Sequence, residues 1–110
     1  MAKIGVMGAG SWGTALALLL NQNGHDVTIW SIDKNEVEML RTKREHVDKL
    51  PGVTIPERIQ ITNTISEGIL GMDMIVMAVP SVFTRSTAKA MCSYVTEGQL
   101  LVDVSKGIEE

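Results

Sequence analysis

The residues Gly8-Ala9-Gly10-Ser11-Trp12-Gly13 combine three missing side chains with the point where an apolar run stops and a helical pattern begins. That combination suits anion binding. Backbone N–H groups at a helix start have no intrahelical acceptor, and the helix dipole adds partial positive charge there. In this spacing Gly8 permits a tight turn, Gly10 lets a diphosphate approach the main chain with no Cβ between them, and Gly13 lets the helix lie close to the preceding strand. A glycine turn without any ligand uses the same residue types, so context decides. Here the pattern follows a strand and its third glycine falls inside the first turn of a helix, as a dinucleotide-binding turn requires. The amides of Ser11, Trp12 and Gly13 are then the groups that meet the phosphates.

Other residues extend the same chemistry. An acidic side chain roughly 20 positions beyond the glycines often receives the adenosine ribose hydroxyls. In this chain Ser31 follows the second apolar run, the nearest acid is Asp33, and Lys34 is its neighbour. A serine does not repel a 2′-phosphate as a carboxylate does, Lys34 would attract one, and Asp33 also reads as a helix N-cap. NAD and NADP therefore both stand as cofactors. Val79-Pro80-Ser81 and Phe83 would lie beside the ribose and nicotinamide, although a strand stop followed by an N-cap explains Pro80 and Ser81 equally well. Lys106 offers a compact cation for an anionic substrate or cofactor, or is a solvated loop lysine. No catalytic residue is identified in these 110 residues, and no metal site is assigned.

The elements that position these residues follow from periodicity. Lys3–Met7 is a short apolar run bounded by glycine and reads as a buried strand. Residues 11–21 carry Trp12, Ala15, Leu16, Leu19 and Leu20 at helical spacing, with Gly24 as the stop. A second strand covers 27–30, and a second helix runs over 34–44 behind Asp33, with Glu36 in the capping-box position. Pro51, Gly52 and Pro56 make 46–56 a loop. Residues 58–62 alternate as an edge strand. Thr64-Ile65-Ser66-Glu67 matches a capping box for a short helix ending near Gly71. Residues 74–79, almost wholly apolar and ended by Pro80, predict a strand at the sheet centre. Ser81 caps a helix through about Tyr94, and 100–104 form a fifth strand. Such alternation, with right-handed crossovers, predicts an α/β doubly wound parallel sheet of the Rossmann type, about five strands with helices on both faces.

Composition sets the bounds. A chain of 110 residues with 45% hydrophobic and 21% charged content is expected to fold as one domain. Its net charge of −3 gives no reason to expect nucleic acid or an anionic membrane as partner. The longest apolar stretch, 15–20, falls far short of the roughly 20 residues of a membrane span, and the strand pattern at Ile4 leaves no room for a leader. A cytoplasmic location is the expectation. The one cysteine, Cys92, excludes an intrachain disulfide and is expected to pack, and the seven methionines suit a pliable core.

Together these residues resemble the N-terminal domain of the bacterial-type NAD(P)-dependent glycerol-3-phosphate dehydrogenases. The loop from Gly8 to Gly13 continuing into Thr14-Ala15-Leu16-Ala17, the segment Asn23-Gly24-His25-Asp26-Val27 with Trp30, and then Leu50-Pro51-Gly52-Val53, Val79-Pro80-Ser81 and Val104-Ser105-Lys106-Gly107-Ile108-Glu109 fall in that family's order. The resemblance implies interconversion of sn-glycerol 3-phosphate and dihydroxyacetone phosphate by hydride transfer with NAD(P), for phospholipid backbones. It implies cofactor contacts from Ser11 and Trp12, and makes Lys106 a lysine shared by cofactor and substrate. Where many members carry His or Arg shortly after the strand-two Trp, Ser31-Ile32 stand here. Members are about three times longer, with a helical C-terminal domain that supplies the proton-transfer lysine, and the full-length protein is expected to be a homodimer. Residues 1–110 are thus expected to be the NAD(P)-binding domain, inactive alone. Two other readings are a stand-alone NAD(P)-sensing module and the cofactor domain of a related 6-phosphogluconate or 2-hydroxyacid dehydrogenase. Lys106 disfavours the first and the Leu50-Pro51-Gly52 loop the second.

Overall fold

Strand β1 (Lys3–Met7) is buried from Ile4 onward. Successive side chains of a strand point to opposite faces, so an apolar run of this kind needs cover on both. In the computed structural model, which describes residues 1–47 and 49–104, β1 lies in a five-stranded parallel sheet covered in just that way. The other strands are β2 (Asp26–Trp30), β3 (Gln60–Thr62), β4 (Met74–Met77) and β5 (Leu100–Asp103), in the order β3-β2-β1-β4-β5. The chain winds outward from β1 to β3, crosses back to the other side of β1, and winds outward again. This is the expected doubly wound α/β class. Its centre, however, is β1 rather than β4. The run 74–79 is apolar enough for a central strand, but the return crossover sets β4 between β1 and the edge strand β5.

The two faces carry separate cores. On one, Ile4, Val6, Val27, Ile29 and Val76 meet Ala17 of helix α1 (Ser11–Gln22) and Val37 and Leu40 of α2 (Lys34–Lys43). On the other, Met7, Trp30, Ile75 and Met77 meet Ile69 and Met91, the last residue of α3 (Ser81–Met91). Each fully buried side chain of this size stabilises by about 1.5–3 kcal/mol, so both faces matter to the fold. Met7, Met77 and Met91 shape the second core, as flexible thioethers do where the space is irregular. Beneath them β1 touches the 3₁₀ turn Ile65–Gly68 backbone to backbone. A Cβ on Gly5 would sit 1.8 Å from the Gly68 carbonyl oxygen, so no larger residue fits there without displacing the turn.

Several local expectations are corrected. Ser81 does not cap α3. It is the first helical residue, and Pro80 holds the cap position with φ −53° and ψ 146°. The fixed φ and absent N–H of proline end the strand and admit the helix in one step. The helix closes at Met91 instead of Tyr94, whose N–H turns back to the Met91 carbonyl at 2.8 Å. Thr64 and Glu67 form no capping box, because Thr62 takes both partners. Its hydroxyl donates to the Glu67 carboxylate and accepts the Thr64 N–H at 3.0 Å. What remains is a 3₁₀ turn ending at Gly68 rather than a helix reaching Gly71. Cys92, the C-cap of α3, is exposed rather than packed.

Candidate functional site

The glycine turn takes its shape from contacts on three sides. Gly8 has φ +128°, a region that L side chains rarely adopt, and a Cβ there would lie 2.7 Å from the Ala78 backbone. Gly13 packs α1 against this turn so closely that its Cβ would stand 2.3 Å from the Gly8 carbonyl oxygen. Gly10 differs, because nothing lies within 4 Å of where its Cβ would be. Its missing side chain leaves a space open. The Gly8 N–H bonds the Trp30 carbonyl at 2.8 Å, and the buried Thr14 hydroxyl donates to the Ala9 carbonyl at 3.2 Å. In the sequence Thr14 counts only as part of the family-like segment that follows the glycines; its bond back to Ala9 is visible only in the structure.

Gly10 is the N-cap of α1 and has no side chain to bond the first turn. The first amide of the turn to find a carbonyl is that of Thr14, which returns to Gly10 at 2.9 Å. Among the described residues no acceptor serves the N–H groups of Ser11, Trp12 and Gly13. Three donors at the positive end of a helix, beside an open space, make an anion cradle.

This cradle borders a cleft of about 250 Å³ at the C-terminal ends of β1, β2 and β4. That is where the strand order switches direction, the place where open α/β sheets bind ligands. The structure brings Gly8, Gly10, Ser11, Trp12, Gly13, Asp33, Pro80 and Phe83 around this one cleft. Trp12 and Phe83 present half-exposed rings to it, and Pro80 is exposed at its mouth. Lys106 lies outside the described residues.

At the β2 end the residues sort differently from expectation. Asp33 caps α2, its Oδ1 accepting the N–H groups of Asn35 and Glu36 at 2.9 and 3.3 Å, yet its side chain also borders the cleft. The two readings of Asp33 are therefore compatible. Lys34 is exposed and does not border the cleft, whereas Lys49 does. Ser31 is buried. Its hydroxyl donates to Glu36 Oε1 at 2.6 Å and accepts the Asp33 N–H at 3.1 Å. In a capping box that N–H belongs to the glutamate. With Ser31 in its place, Glu36 turns instead to Ser31 and to the buried His46, whose Nε2 lies 2.9 Å from Oε2. Neither Glu36 nor His46 was foreseen as part of the site. The missed signal was Ser31, a small hydroxyl at the strand end that competes for the cap.

Comparison with known proteins follows the same lines. The family model described as NAD-dependent glycerol-3-phosphate dehydrogenase N-terminus matches residues 3–110. The glycerol-3-phosphate dehydrogenase (NAD(P)+) of Agathobacter rectalis is 59% identical over 110 residues, all of this chain and 33% of its own length. Its counterpart in Fusobacterium nucleatum is 46% identical over 110 residues, again 33% of its own length. The chain thus spans about a third of the length of these relatives. Among solved structures, glycerol-3-phosphate dehydrogenase from Coxiella burnetii matches with TM-score 0.88 at 27% identity, over 93% of this chain and 31% of that one. The glycerol-3-phosphate dehydrogenase of Saccharomyces cerevisiae shares the fold, with TM-score 0.82 at 23% identity over 93% of this chain and 33% of that one.

Proposed function

Because this chain belongs to the family of NAD-dependent glycerol-3-phosphate dehydrogenase N-termini, we propose that it is the nucleotide-binding domain of an enzyme interconverting sn-glycerol 3-phosphate and dihydroxyacetone phosphate. The observation that carries this reading is the set of three N–H groups at Ser11, Trp12 and Gly13 that have no acceptor among the described residues, beside the space that Gly10 leaves open. A nicotinamide dinucleotide, when bound, accepts or returns the hydride. The residues of this chain bind and orient it. The α1 amides hold the diphosphate, Pro80 and Phe83 flank the nicotinamide side, and the wall at Asp33 faces the adenosine ribose. Lys106 would add a cation for cofactor and substrate phosphate.

On this reading residues 1–110 form one domain and contain no proton donor for the carbonyl. The relatives are three times as long, which supports placing that donor and most substrate contacts outside these residues. The whole enzyme would work in the cytoplasm as a homodimer. No helix among the described residues is long and apolar enough to cross a membrane.

Titration of the chain with NADH and NADPH tests the reading directly. Binding of at least one below millimolar concentration is the expected result, and no binding of either defeats it. Gly10→Asp should abolish binding while the fold persists, because nothing lies within 4 Å of the new Cβ and the carboxylate would occupy the diphosphate position. A folded variant that binds as well as the parent would reject the glycine-turn site.

A further inference from the structure

The cofactor preference that Ser31 and Lys34 leave open in the sequence is addressed by the side chains at the β2 end of the cleft. This inference rests on the reading that the cleft takes a nicotinamide dinucleotide. With the diphosphate at the Gly10 turn, the adenosine ribose lies over the end of β2. The cleft wall there contains the Glu36 carboxylate, held at 2.6 Å by Ser31 Oγ and at 2.9 Å by His46 Nε2. The Glu36 side chain keeps 17% of its surface exposed and lines the cleft, so it is held in place without being fully buried.

Two acidic residues, Asp33 and Glu36, line this end of the cleft. The His46 ring bridges the loop and the helix, its Nδ1 3.4 Å from the Lys49 backbone nitrogen and its Nε2 2.9 Å from Glu36 Oε2. Asp33 brings a second carboxylate to the same side of the cleft, and Lys49 is the one Lys or Arg among the described residues lining it. Lys34, the cation that would have drawn in a 2′-phosphate, stays outside.

We propose that Glu36, locked by Ser31 and His46, determines specificity by making the cleft selective for NAD(H) over NADP(H). Each carboxylate oxygen has a lone pair left to accept a hydrogen bond from a ribose 2′-hydroxyl. A 2′-phosphate at the same position brings like charge against it. The acid is supplied from the first turn of α2 rather than from the residue that ends β2, so the usual spacing from the glycines does not reveal it.

Equilibrium titrations of the parent and of Glu36→Gln with NADH and NADPH test this. In the parent NADH should bind at least about tenfold more tightly. In Glu36→Gln the ratio should fall by about fivefold or more, mainly through a gain in NADPH affinity, which damage to the fold would not produce. A measurement on the parent alone needs no variant to fold. Raising salt from about 0.05 to about 0.5 M screens the repulsion and should narrow the NADH-to-NADPH ratio. Equal affinities in the parent, an unchanged ratio in folded Glu36→Gln, or a ratio indifferent to salt would each overturn the proposal. Failure of both cofactors to bind the parent would instead overturn the dinucleotide reading beneath it.

Discussion

At one edge of the sheet, β3 and the residue before it turn outward carbonyls to arginine. The Ile59 carbonyl accepts from Arg44 Nη1 at 2.7 Å and the Ile61 carbonyl from Arg41 Nε at 2.7 Å, while the Thr62 carbonyl bonds inward to the Ser31 N–H at 3.1 Å. Arg44 also reaches the Pro56 carbonyl at 3.3 Å, from a left-handed backbone position with φ 51°. At the other edge β5 carries Leu100 and Leu101, 55% and 54% exposed on opposite faces. The groove between β5 and α3 is lined by apolar residues such as Met91, Val95 and Leu101. The contrast teaches that α2 does more than cover the sheet. Its C-terminal cations occupy acceptors that would otherwise pair with a foreign strand, and among the described residues β5 has no such guard on its leucines.

Arg44→Ala should break the guarded edge most severely. Bonds from a charged group to two carbonyls are lost and the strained φ remains, so about 2 kcal/mol of stability should go, which for a domain of this size is roughly 10 °C in the thermal midpoint. An unchanged melting curve would show that the guanidinium does not hold the 56–59 segment. Arg41→Ala removes one bond and should cost about 1 kcal/mol. It should also expose the Ile61 carbonyl, so sedimentation velocity should show new association. If it stays as monodisperse as the parent, the edge is protected by something other than Arg41. The smallest effect on stability is expected at the unguarded edge. Leu100→Lys with Leu101→Lys should move stability by no more than about 0.5 kcal/mol, since both side chains are already largely in solvent. The parent should associate at high concentration and the double variant should not. A parent that sediments as a clean monomer would remove the sense in which β5 is the exposed edge.

What could be read beforehand depended on range along the chain. The glycine turn was legible because its three roles are local. Each glycine answers to a neighbour within a few residues or to the adjoining strand, and Gly8 and Gly13 meet those neighbours in the structure. The N-cap at Asp33 was legible for the same reason. Errors arose where a local pattern met a distant competitor. Thr64 and Glu67 read as a capping box until Thr62, placed by β3, took both partners. Glu36 read as the partner of Asp33 until Ser31 and His46 claimed it. Arg41 and Arg44 gave no signal at all, since in sequence a basic helix end is merely favourable to the dipole.

The residue string by itself determined the alternation of strands and helices, the class of fold and the glycine turn that opens α1, because short-range sterics and hydrophobic period act within a turn or two of backbone. Tertiary structure alone decided which strand is central, which sheet edge is guarded, and which acid faces the β2 end of the cleft. Those outcomes join residues that only the crossovers bring together, such as Arg44 with Ile59 and Glu36 with His46. A partner brought in by the fold can outbid one offered by the local sequence.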